Sequence, residues 1–248
     1  MIPLKSDRDL EMLRFAGRLL AKVMQRLKKE VGVGVTTQEI DKLAEELVRK
    51  EHALPAFKGY KGFPSSVCAS INEEIVHGIP SQRKLKEGDI FSLDLGIKYR
   101  GYFVDAAVTL PIGRISNEKA RLIEAASCAL EAGIKQAKAN NYLSDISHTI
   151  QRIVEERGFS VVRQFVVHGI GFNLHEEPEI PNFGMPYQGP LLKKGMVFAI
   201  EPMVNMGGWE SEIMDNGWTA VTKDRLASAH FEHTIAITQG EPEILTNG

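Results

Sequence analysis

Asp94, Asp105, His168, Glu201 and Glu232 each sit in a short apolar or glycine-flanked stretch. An isolated carboxylate in such surroundings would take up a proton rather than stay charged, so several together point to a cation shared between them. Two divalent ions and a bridging hydroxide would leave four carboxylates at about −1, tolerable in a partly buried cleft, whereas one ion would leave them strongly anionic. Two divalent metal ions per chain are therefore expected. Oxygen-rich ligation with a single imidazole suits Mn, Fe(II), Co or Zn and does not require the thiols of Cys68 or Cys128.

The elements that must hold these groups can be read from pattern. Residues 89–96 and 101–108 are β-prone runs on either side of the turn-like 98–101 segment, which predicts a hairpin. A turn centred between Tyr99 and Arg100 would set Asp94 directly opposite Asp105, with Cβ atoms about 5 Å apart, a like-charged pair that is unfavourable unless something positive lies between. Glu201 follows the apolar run 196–200, His168 closes 165–168 before a Gly-Ile-Gly turn, and Glu232 lies in a strand-like run, 229–237. Ser6 opens a helical stripe of Leu13, Ala16, Leu20, Val23 and Leu27, and Thr36 to Glu39 has the form of a capping box for a second helix. Ser116 starts a third helix and Ser144-Asp145 caps a fourth, stopped near Gly158. The order helix, helix, sheet thus occurs twice at a period of about 110 residues. The expectation is an α+β fold in one catalytic domain, 1–248, with pseudo-symmetric halves at roughly 6–113 and 114–240 and the acidic site at their join.

Composition excludes other classes. With 43% hydrophobic and 25% charged residues the chain is ordinary for a soluble globular protein, and a net charge of −2 offers no general attraction for nucleic acid or anionic membrane. No stretch has the length of a membrane span and the first residues lack a signal-peptide core, so a cytoplasmic protein is expected. Two cysteines in such a setting are expected as free thiols.

Asp94, Asp105, the 168–171 run His-Gly-Ile-Gly, the 175–178 run His-Glu-Glu-Pro, the 201–203 run Glu-Pro-Met and the 231–234 run Phe-Glu-His-Thr together resemble the type I methionine aminopeptidases, over nearly the whole chain. Residues 70–80 and the Gly-Trp-Thr at 217–219 extend the likeness. The resemblance implies a pita-bread fold, two halves around a curved antiparallel sheet, and removal of the initiator methionine from nascent polypeptides whose second residue is small, through a dinuclear metal-activated hydroxide. It implies that Asp105 and Glu232 bridge the metals, that Asp94 holds one ion, and that His168 and Glu201 hold the other. Glu201 would also shuttle a proton, while His77 and His175 would contact substrate and donate hydrogen bonds to the oxyanion and the leaving nitrogen. Tyr60, Phe63, Cys68, Leu174 and Trp218 match the methionine pocket. Three positions depart from the pattern: Phe57 where cysteine is common, Leu174 where phenylalanine is common, and His230 where glutamine is common.

Each residue taken alone has a plainer reading: a hydrogen-bonded strand carboxylate, a turn histidine at 77, a surface histidine at 175, core aromatics at 60, 63 and 218. His52, His148, His230 and His233 are read as structural or solvated, and the basic run 83–87 as a solvated face in preference to a ribosome contact. A monomer is expected. Two rivals use the same fold: an enzyme of the X-Pro aminopeptidase or prolidase type with the same five ligands, and a non-catalytic binding protein that has lost them. The intact ligand set argues against the second.

Overall fold

The computed structural model describes residues 2–247. Four α-helices form among the described residues, three of them at the caps the sequence predicts. In α1, Asp7–Glu30, the Ser6 hydroxyl accepts from the Asp9 N–H while the Asp9 carboxylate accepts from the Ser6 N–H. In α2, Thr37–Lys50, Thr36 and Glu39 make the same reciprocal pair. Ser116 caps α3, Asn117–Gln136. The start of α4, Leu143–Glu155, differs from the expectation. Tyr142 is its N-cap, because the Asp145 carboxylate reaches back to the Tyr142 N–H at 2.8 Å while the Ser144 hydroxyl is occupied by the N–H of Gln188.

The principal sheet is antiparallel. Its main path runs Leu54–Pro55, Ile90–Tyr99, Tyr102–Pro111, Glu232–Ala236, Val197–Ile200, Val166–Gly169, Glu176–Pro181, with Cys68–Ile71 also on Ile90–Tyr99 and Glu243–Ile244 on Glu232–Ala236. The hairpin is present, but its register corrects the expected one. Tyr99 pairs with Tyr102, so Asp94 faces Ala107 and Asp105 faces Gly96. The reason lies in the turn: Arg100 and Gly101 have φ of 48° and 91°, and a two-residue loop with both φ positive matches the twist of the flanking strands. The two aspartates are diagonal neighbours on one face instead of direct partners.

Strand alternation then separates chemistry from core. Leu93, Leu95, Ile97, Val104 and Ala106 point to α1 and α2, with Leu13, Leu20, Ile40 and Ala44 in the same apolar cluster. A second cluster joins α3 and α4, through Ala126, Leu130, Ile146 and Ile150, to Phe198, Ile200 and Ile235. The opposite face of the hairpin presents Asp94 and Asp105.

The run expected as one strand over 229–237 is broken at Phe231. Ser228–His230 belongs to a separate three-stranded sheet with Met203–Asn205 and Ser160–Val161, and Glu232–Ala236 to the principal one. A third, small sheet joins Ser211–Ile213, Ala220–Thr222 and Glu74–Val76; Trp218 lies between its first two strands and His77 directly follows Glu74–Val76. Among the described residues no helix is long and apolar enough to cross a membrane, and Cys68 and Cys128 are free.

Candidate metal centre

Five elements converge on one cavity of about 270 Å³. Asp94 comes from the middle of Ile90–Tyr99, Asp105 from Tyr102–Pro111, Glu232 from the first position of its strand, Glu201 from the residue after Val197–Ile200, and His168 from Val166–Gly169. The register makes them neighbours: Ala107 pairs with both Asp94 and Glu232, and Ala199 with both Thr234 and His168. Where the hairpin meets the Glu232–Ala236 strand only Ala107–Glu232 and Ala106–His233 are paired; beyond them the Thr234 hydroxyl accepts from the Asp105 N–H and donates to the Asp105 carbonyl, each at 2.8 Å.

The same cavity is lined by His77, His175, Tyr60, Phe63, Cys68, Leu174 and Trp218. Phe57 and His230 line it too, as do Lys61, Gln164, Phe165 and Met203. His230 corrects the reading that set it aside as structural. It is 2% exposed, with Nε2 3.8 Å from Glu201 Oε2 and 3.9 Å from Glu232 Oε2. The signal was its place two residues before Glu232, since alternate residues of an extended chain share a face.

Two groups bring ligand atoms within 4.8 Å of one another: Asp105, His168 and Glu232, and Glu201, His230 and Glu232. Asp94 lies outside both trios, yet its carboxyl is close enough to Asp105 for each to perturb the other. Burial, then the neighbouring carboxylates, push Asp94 and Glu232 well above the usual carboxylate range; burial, then Asp105, does the same to Glu201. Asp105 is raised by burial to about 7, with the Ala106 N–H working against the rise.

Burial drives the imidazoles the other way. His168 falls to about 4, His175 to about 3 and His230 to about 3, so all are neutral near pH 7. Neutral imidazole is the form that binds a metal. His168 places Nδ1 2.9 Å from the Gly169 carbonyl, the bond that directs Nε2 toward a metal, and Nε2 lies 3.5 Å from Glu201 Oε1.

Asp94 Oδ1, Glu201 Oε1, Glu232 Oε1 and His230 Nε2 are buried without a hydrogen-bond partner. Orphaned polar atoms are costly, and four converging on one cavity fit divalent cations of the oxygen- and nitrogen-binding kind. The Cys68 thiol is held protonated by burial and by Asp94, which removes it as a nucleophile.

At the rim, Tyr60 stacks on His175 at 5.2 Å and its hydroxyl lies 3.0 Å from His175 Nδ1. Phe63 meets Trp218 edge-on at 5.2 Å, and His77 meets Phe165 edge-on at 5.6 Å. The segment carrying Leu174 and His175 is tied down by Glu176, which accepts from the N–H groups of Phe172 and Asn173 and pairs with Lys5; both charged side chains are almost fully buried.

Comparison with known proteins agrees with this geometry. Residues 11–239 match Peptidase_M24, metallopeptidase family M24. Methionine aminopeptidase 1 of Bacillus subtilis is 50% identical over 246 residues, covering 99% of each chain. The crystal structure of methionine aminopeptidase from Thermotoga maritima superposes with a TM-score of 0.98 at 44% identity over 100% of both chains. That from Rickettsia prowazekii gives 0.98 at 37% identity, covering 99% of this chain and 100% of the other.

Proposed function

Since the chain belongs to metallopeptidase family M24 and, within it, to the methionine aminopeptidases, we propose that it removes the initiator methionine from nascent polypeptides whose second residue is small. The fold is the pita-bread fold of these enzymes, and the activity is metal-dependent hydrolysis. The observation that carries the reading is the set of buried, unpartnered carboxylate oxygens facing one cavity beside His168.

Asp94, Asp105, His168, Glu201 and Glu232 would hold two divalent ions of Mn, Fe(II), Co or Zn, with Asp105 and Glu232 shared between them. When bound, such ions lower the pKa of water and polarise the scissile carbonyl. The chain's own groups do the rest. Glu201, ionised when the metals are bound, would accept the proton of the attacking water and return it to the departing nitrogen. His175 is neutral and so has one N–H; a Tyr60 hydroxyl donating to Nδ1 leaves that hydrogen on Nε2, free for the substrate carbonyl. His77, also held neutral by burial, is the second donor. Tyr60, Phe63, Cys68, Leu174 and Trp218 receive the methionine side chain, with aromatic edges offered to its sulfur. At about 270 Å³ the cavity lies just below the roughly 300–1,000 Å³ typical of ligand sites, which suits one terminal side chain.

The setting proposed is a cytoplasmic monomer, one catalytic domain with halves at 6–113 and 114–240, acting as chains emerge from the ribosome and without direct nucleic-acid contact. The test is metal-dependent release of methionine from Met-Ala-Ser, against Met-Leu-Ser and Ala-Pro peptides. Cleavage of Met-Ala-Ser alone is expected. Hydrolysis of the Ala-Pro peptide with Met-Ala-Ser untouched would overturn the reading in favour of an X-Pro enzyme.

A further inference from the structure

The mechanism above leaves His230 unused, although it is buried in the metal cavity. Its backbone is fixed from both sides: the His230 N–H donates to the Thr109 hydroxyl at 2.8 Å, which donates to the His230 carbonyl at 2.9 Å, and Met203 pairs with His230 across the small sheet. The imidazole cannot swing out with its strand. Nε2 has no hydrogen-bond partner, and its separations of 3.8 and 3.9 Å from Glu201 and Glu232 exceed hydrogen-bond reach. They do fit a common ion, because two ligand atoms each about 2.1 Å from one metal lie at most about 4.2 Å apart.

The two trios of potential ligands share Glu232, and each contains one imidazole, His168 in the first and His230 in the second. We propose that His230 Nε2 is a sixth protein ligand, joining Glu201 and Glu232 on the ion that His168 also holds. The inference rests on the metal-dependent reading of the site. Its chemical consequence is selectivity: a second nitrogen donor shifts that position from oxygen-loving Mn(II) toward Co(II) and Zn(II).

The test loads the chelator-stripped full chain with Co(II) and counts imidazoles by X-ray absorption, for the wild type and for His230→Gln. Two imidazoles per ion pair in the wild type, falling to one in the variant, are expected. With them should come a loss of about ten- to a hundredfold in Co(II) affinity by calorimetry and a smaller loss for Mn(II). A residue that merely orients a carboxylate could lower affinity but would leave the count unchanged. A wild-type protein that binds Co(II) with a single imidazole overturns the assignment of His230 whatever the variant does. A wild-type protein that binds neither Co(II) nor Mn(II) overturns the metal-dependent function as well.

Discussion

Stripping the ions leaves Asp94, Asp105, Glu201 and Glu232 confronting one another in a buried cavity, and the dependence of stability on pH should record it. Asp105 titrates at about 7 in the folded protein against an ordinary 3.8. A raised carboxyl pKa means that the folded state holds the proton more tightly than the unfolded chain. Its contribution is complete below 3.8 and is lost as pH climbs to about 7, at about 1.4 kcal/mol per pH unit, or roughly 4 kcal/mol in all. Asp94, Glu201 and Glu232 also stand well above their usual range and contribute to the decline in the same sense. The buried imidazoles act in the opposite sense: lowered to about 4, 3 and 3, His168, His175 and His230 destabilise only as pH falls below their ordinary 6.5. Above 6.5 they are neutral in both states and drop out of the slope. The clean window therefore opens at about pH 6.5. Urea unfolding of the chelator-treated protein should lose stability as pH rises from there, at about 1.4 kcal/mol per pH unit for each acid the fold still keeps protonated, while the Co(II)- or Mn(II)-loaded protein, with its carboxylates already ionised, should stay level. A metal-free protein whose stability is flat or rising across that window would refute the claim that burial among one another holds these acids protonated in the fold.

Three further outcomes follow from named contacts. His77→Ala and His175→Ala should each retain bound metal and lose about a hundredfold in turnover, about 3 kcal/mol, in steady-state kinetics; poor metal content in either would move that histidine into the ligand set. Lys5→Met should cost about 3–5 kcal/mol of unfolding free energy, because Glu176 would be left buried without its cation. A loss under about 1 kcal/mol would mean that the two backbone donors satisfy Glu176 unaided. Gly96→Ala should weaken metal binding, since the added methyl would meet Phe57 Cε1 at 2.7 Å and Asp105 Oδ2 at 3.3 Å; unchanged calorimetric affinity would show that the Phe57 ring yields instead.

What sequence could disclose depended on how local the physics was. The caps at Ser6, Thr36 and Ser116 involve partners within one turn, and they form as read. Ser144 failed as a cap because its hydroxyl is claimed by Gln188, a partner 44 residues away that no window contains. The hairpin was legible from its β-prone runs, but its register turned on which two residues adopt positive φ, and Arg100 gives little notice of doing so. The carboxylates stood out because acids are rare in apolar runs. His230 stood out less, since histidine is unremarkable in a strand and its place two residues before Glu232 was the one hint the chain offered. The Lys5–Glu176 pair spans 171 residues and leaves no pattern along the chain.

An ordinary ladder would have matched Asp105 to Thr234 through peptide groups, locking the two central strands at a fixed spacing. A side-chain oxygen stands in that rung instead, and it can rotate. The protein thereby gives up cohesion along its midline in exchange for slack where an aspartate must adjust to cations that arrive and depart. Replacing that threonine with valine would leave the sheet with two unfilled peptide groups at its weakest stitch, so the molecule should tear first along the line where its chemistry is done.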